Sequence, residues 1–313
     1  MANPEENDTH CKIPIGFEGE IFATISYTSL GIGGSLGNIF LILVIYRTPS
    51  LRTVCGVLIS NVAVADLMAT SVVMPIVVFI LVQGFLGMCV YKTPIAVTLV
   101  IALFSASASL LMLTMLSVDR CLAICYPLKH KIWMTITVVK ILVVKTWFES
   151  LILPLTEVFY KGTALSNYLQ TLGVGVCYSA IIFSGVLTFR KVRANSIQIG
   201  SLHGGQGRSN ITADLHQRNK RVAKTVALVV LLFSLFWVPI AFVIGFEIRT
   251  SHDDRLYFWF ATLGLANSAV NPWIYFYRQA NYRRDLKLLL GYKTNTTVVV
   301  QPKRTHGTER NER

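Results

Sequence analysis

Seven apolar blocks constrain this chain more than any other feature. Crossing the roughly 30 Å hydrocarbon core of a bilayer takes about 20 apolar residues at helical rise. Blocks of that order run over Ile21–Tyr46, Cys55–Leu81, Pro94–Ile124, Ile132–Leu155, Tyr168–Phe189, Val222–Phe246 and Tyr257–Tyr277. Each must be a helix, because lipid offers the backbone no hydrogen-bond partners. The expected fold class is an all-α membrane protein, a seven-transmembrane helix bundle. A hydrophobic share of 53%, a charged share of 14% and a mean hydropathy of +0.55 lie outside ordinary soluble composition. The formal charge of +13 does not imply nucleic acid, since the basic residues sit between apolar blocks rather than on a soluble face.

Charge also sets the expected orientation. Arg47, Arg52, Lys129, Lys131, Arg190, Lys191, Arg193 and Lys220 fall in alternate connections, and Arg278, Arg283, Arg284 and Lys287 follow the last block. Glu5, Glu6, Asp8, Glu18, Asp253 and Asp254 fall on the other side. The positive-inside rule then puts the N-terminus outside and the C-terminus in the cytosol, in the plasma membrane. The polar N-terminus shows no cleavable signal peptide, so the first block is expected to direct insertion. The domain reading is an extracellular segment over 1–20, a membrane domain over 21–277, an amphipathic basic helix over 278–292 and a disordered tail over 293–313. In that short helix Tyr282, Leu286, Leu289 and Leu290 share one side.

Seven helices alone fit a receptor, a channel or a transporter. The polar residues inside them decide, because a charge at mid-membrane costs roughly 2.5 kcal/mol or more and is retained for a purpose. The blocks contain Gly37-Asn38, NVAVAD at Asn61–Asp66, SVDRC at Ser117–Cys121, Trp147, FSLFWVP at Phe233–Pro239 and NSAVNPWIY at Asn267–Tyr275. Pro239 and Pro272 each remove a backbone donor and crowd the preceding turn, which makes kinks. Lys145 and Glu149, four apart, are placed to pair across one turn.

In order and placement these motifs resemble those of rhodopsin-like G-protein-coupled receptors: the GN of helix one, the LAxAD of helix two, the DRY of helix three, the helix-four Trp, FxxxWxP and NPxxY. The likeness extends over roughly residues 21–290. It implies no enzyme but a receptor passing an extracellular signal to a heterotrimeric G protein, with arrestin and receptor kinases as further partners. By the same resemblance Asp119, Arg120, Phe233, Trp237, Pro239, Asn271, Pro272 and Tyr275 form the activation switch. Arg120 and Leu128 are the implied G-protein contacts. Asp66, Ser109, Asn267 and Asn271 match positions that hold an allosteric sodium ion, although a purely structural hydrogen-bond network is the alternative. The family's helix-six acid is replaced by Asn219, from which raised basal activity is expected.

Several departures narrow the reading. The family's helix-three disulfide cysteine falls at Ile95, and the following outer loop has no Cys, so the usual bridge is missing at both ends. Cys11 and Cys89 are the remaining outer pair, either bridged or two free thiols. Helix five lacks the usual Pro and Tyr, which resembles the melanocortin, cannabinoid and lysophospholipid branch. The amine-binding Asp position is Ala102 and the retinal Lys position is Leu265, so an amine salt bridge is disfavoured and retinal is excluded as cofactor. Met74, Phe104, Trp237, Phe242, Phe246 and Phe260 are candidate ligand-cavity residues whose apolar character favours a lipid-like ligand or a peptide. Asn7 heads a glycosylation acceptor. A channel or secondary transporter is the rival reading, weakened by the absence of an inverted repeat in the hydropathy.

Overall fold

The computed structural model describes residues 9–10, 15–160, 163–201, 224, 227–239, 243 and 253–292. The first span is Gly16–Arg47, starting ahead of the apolar block because Phe17 to Glu20 continue the helix. The second runs from Val54 to Phe85 and the third over Lys92–Cys125. A short helix, Pro127–Trp133, follows the third. The fourth span is Ile136–Glu149 continued by Ile152–Tyr160, the fifth Ala164–Ser201, the sixth Ala227–Pro239 within the described residues, and the seventh Asp253–Arg278. A surface helix, Ala280–Leu289, ends at Gly291, whose φ of 83° closes the C-terminus as glycine allows. Among the described residues, four helices are long and apolar enough to cross a membrane: Gly16–Arg47, Val54–Phe85, Thr93–Cys125 and Tyr168–Ala194.

Prolines explain the irregularities. Pro75 sits just beyond a π-helical turn over Ala69–Val73 in the second span, where its missing donor and ring disturb the hydrogen-bond ladder. Pro154 cannot donate to Ser150, four residues before it, and the fourth span breaks there. The freed Ser150 carbonyl accepts from Ser107 Oγ of the third span at 2.7 Å. Pro272 leaves the Ser268 carbonyl without its helical donor in the same way. Asn38 Nδ2 of the first span donates to it at 3.1 Å. In both cases a polar side chain from a neighbouring span caps the backbone group that proline orphans, as lipid cannot.

The third span touches the second, fourth and fifth, while the first packs on the second and seventh. Glycines set how closely they approach. A methyl group at Gly34 would stand 2.6 Å from Thr70 Cγ2 and 2.8 Å from Ala269 Cα, and one at Gly37 would stand 2.8 Å from Pro272 Cγ. One apolar cluster fills the Arg120 end of the bundle, with Leu41, Leu58, Met112, Leu116, Phe233 and Tyr275 buried in it. A second lies between the first, second and seventh spans around Tyr27, Val73 and Leu265. In the surface helix Tyr282 is buried and Leu286 and Leu289 pack on the bundle, whereas Leu290 is exposed.

At the N-terminal end, Gly87 adopts a φ of 71° and turns the chain out of the second span. Strand β1 (Thr9–His10) then pairs antiparallel with β2 (Val90–Tyr91), Thr9 opposite Tyr91 and His10 opposite Val90. Cys89 is disulfide-bonded. Cys55, Cys121, Cys125 and Cys177 are in no disulfide. Cys11, Asn7, Asn219, Phe242, Phe246 and the tail from position 293 lie outside the described residues.

Candidate functional site

Two polar centres lie inside the bundle. The first is at the end of the third span. Asp119 is fully buried, and its Oδ2 accepts from Arg120 Nε at 2.8 Å. Its Oδ1 lies 2.7 Å from His130 Nε2, so the ring N–H donates to the carboxylate. His130 belongs to the short helix Pro127–Trp133, which Pro127 opens at its first position. That helix folds back and brings His130 onto the residue eleven positions earlier. One carboxylate therefore holds two cationic or donor groups, one from each side. A buried charge needs such partners, since an unpaired one would pay its full desolvation cost. On the same short helix Leu128 is 77% exposed, an apolar side chain presented beyond the bundle.

The second centre lies between the second, third and seventh spans. Asp66 is wholly buried and its Oδ2 accepts from Asn271 Nδ2 at 2.7 Å. The side chains of Ser109 and Ser268 stand against the same carboxylate. Asp66 Oδ1, both polar atoms of Asn267 and the Oδ1 of Asn271 are buried without a hydrogen-bond partner in the protein, as is the Tyr275 hydroxyl. Buried polar atoms are normally paired, and here several oxygens, those of Asp66, Asn267, Asn271 and Tyr275, go without a partner alongside the Asn267 amide nitrogen. Oxygen ligands of that kind suit a hard cation.

Phe233 and Trp237, one turn apart on the sixth span, stack with ring centroids 5.8 Å apart. Tyr178 of the fifth span meets Phe233 at 6.2 Å. The Trp237 ring faces Gly264 of the seventh span, where a methyl group would still keep 3.6 Å. Pro239 lies at the last described residue of that sixth-span segment, and Pro272 inside the seventh span. Trp147 donates through Nε1 to Asn61 Oδ1 at 3.1 Å, tying the fourth span to the second. Lys145 and Glu149 form an ion pair.

Of the residues named as a ligand cavity, Phe242 and Phe246 lie outside the described residues. Met74 is fully buried, its side chain against Gly31 of the first span. Phe104 packs on Trp147 with centroids 5.7 Å apart, and Phe260 is half-buried. Sequence reasoning missed His130, Ser107 and the partner of the Ser268 carbonyl. The prolines four residues after Ser150 and Ser268 were the available signal, since each announces an orphaned carbonyl. Nothing in the spacing of His130 announces its return onto Asp119.

Comparison with known proteins bears on the same residues. Residues 37–275 match the family described as 7 transmembrane receptor (rhodopsin family). The somatostatin receptor type 5 of Bos taurus is 26% identical over 84% of this chain and 73% of its own length. The somatostatin receptor type 1 of Rattus norvegicus is 25% identical over 92% and 75%. The trace amine-associated receptor 1 of Mus musculus is 24% identical over 82% and 84%. The matched stretch runs from the later part of the first span into the seventh and contains both polar centres, and the chain belongs to the rhodopsin family of seven-transmembrane, G-protein-coupled receptors.

Proposed function

We propose that this receptor is held inactive by the Asp119 clasp on Arg120 and His130, and that an extracellular ligand acts by releasing it. The carrying observation is the fully buried Asp119 carboxylate with both oxygens engaged. Release would free Arg120 for the G protein, with Leu128 beside it as a second, exposed contact. Phe233, Trp237, Pro239, Asn271, Pro272 and Tyr275 link the outer end to that clasp. Arrestin and receptor kinases are the further partners on the same face. The N-terminus is outside and the C-terminus cytosolic, a reading supported by the basic residues of the connections at the Arg120 end.

The Asp66 centre is an allosteric sodium site made by Asp66, Ser109, Asn267 and Asn271. Its support is the set of unpaired buried oxygens around a single carboxylate. Cys11 is the disulfide partner of Cys89, a reading supported by Cys89 being disulfide-bonded while Cys55, Cys121, Cys125 and Cys177 are in no disulfide, which leaves Cys11 of the six cysteines. The ligand is a peptide or lipid-like molecule. The names of the somatostatin receptors favour a peptide, and Ala102 stands where an amine receptor needs a carboxylate, whatever the trace-amine relative binds.

The test is G-protein activation in cells expressing the chain or Arg120→Ala, against peptide, lipid and amine panels. Activation lost in the variant at equal surface expression upholds the reading, and unaltered activation overturns it. In the same assay sodium lowers agonist potency for the wild type and leaves Asp66→Asn unaffected; equal responses to sodium would remove the ion site.

A further inference from the structure

Next to the first polar centre lies a crevice between the fifth and sixth spans, a cavity of about 680 Å³ that reaches Arg120. Its floor is Ser117 and Arg120 of the third span. Small residues create it: Ser184 and Gly185 on the fifth span, Ala227 and Ser234 on the sixth. At Gly185 a methyl group would meet nothing within 4 Å.

The walls are apolar, with Ile182, Phe189 and Leu231 lining them. Those three side chains are also among the exposed large hydrophobic residues, so the crevice continues into the face that lipid covers. At its mouth stand Arg193 and Lys224, both exposed. Apolar walls with two cations at one end match an amphiphile in both chemistry and polarity. Hydrocarbon enters from the bilayer, and an anionic headgroup meets the cations at the membrane surface.

We propose that this crevice binds an anionic phospholipid of the inner leaflet, one acyl chain between the fifth and sixth spans and the phosphate on Arg193 and Lys224. The chain lies over Arg120 and against the sixth span, so occupancy and movement of that span are coupled. Assignment to the inner leaflet rests on the proposed orientation, while the binding itself does not.

The experiment uses the full chain in nanodiscs that present lipid on both faces, with photoactivatable acyl chains on phosphatidylserine or phosphatidylcholine. Phosphatidylserine is expected to crosslink to the fifth and sixth spans several-fold more than phosphatidylcholine. Arg193→Gln with Lys224→Gln should bring the two lipids to near-equal labelling, since each cation near an anionic surface contributes to lipid attraction. Gly185→Leu, which fills the cavity, should abolish crosslinking within it. Equal labelling by both lipids, insensitive to the charge variants, would mean annular lipid only and overturn the site, as would labelling unchanged by Gly185→Leu. The exposed charge pair serves where the leucine variant fails to fold. Protease access in intact cells reports orientation separately, and G-protein activation reports the receptor reading, so failure of either is distinguishable from failure of the crevice.

Discussion

Arg120 and Asp119 are adjacent in sequence, yet what fixes their relation is His130. With Asn219 in place of the helix-six acid, the clasp has Asp119 as its anchor and the short-helix histidine as its second arm. A hydrogen bond to a buried charge contributes about 1.5–3 kcal/mol. Removing it leaves Asp119 Oδ1 unpaired and weakens the hold on the inactive arrangement. His130→Ala should therefore raise ligand-free guanine-nucleotide exchange several-fold over wild type at matched expression, and His130→Gln, which keeps a donor, should recover part of the restraint. Exchange no higher in His130→Ala than in the wild type would show that His130 only positions the short helix. The Asp66 centre differs in that Asp66 Oδ1 and the side-chain oxygens of Asn267 and Asn271 are buried without a partner, which is the observation behind the proposed sodium site.

Among the elements, the approach of the first and seventh spans is set by single hydrogen atoms. Gly34→Ala places a methyl group 2.6 Å from Thr70 Cγ2 and 2.8 Å from a backbone carbon of the seventh span, so the spans must separate. Overpacking of this kind costs about 1–3 kcal/mol. Its neighbour provides the control, because a methyl group at Gly33 meets nothing within 4 Å. Thermal unfolding of the purified receptor should fall by several degrees in Gly34→Ala and hold or rise in Gly33→Ala. A matching shift in both variants would refute the close-approach argument. The proline breaks belong to the same scale: each span bends where the ladder loses a donor, and a neighbour's Ser or Asn makes good the loss.

For the whole molecule, the N-terminal end is joined by the β1–β2 ladder and the Cys89 disulfide instead of the family's usual bridge. If Cys11 is its partner, peptide mapping without reduction should yield one crosslinked species containing both cysteines. Cys11→Ser, Cys89→Ser and the double variant should lower thermal stability by the same amount, about 2–4 kcal/mol in a soluble-protein reference. Unequal losses, or a Cys89 peptide joined to another cysteine, would assign the bridge differently. At the Arg120 end, Tyr282 of the surface helix and Phe233 meet one apolar cluster.

The sequence by itself determined the seven spans, the family and most members of both polar centres, because hydrophobic length and motif order are local properties written along the chain. Asp66, Asn271, Asp119 and Arg120 were legible for that reason: a charge or amide inside an apolar block stands out before any folding is known. Tertiary structure alone decided which group answers which. His130 reaches Asp119 only because a seven-residue helix folds back under the third span, and Ser107 reaches Ser150 only because two spans pack at that height. The crevice exists only where small residues of two spans face each other across a third. Such pairings depend on the distance and rotation between helices, which hydrophobic periodicity does not encode.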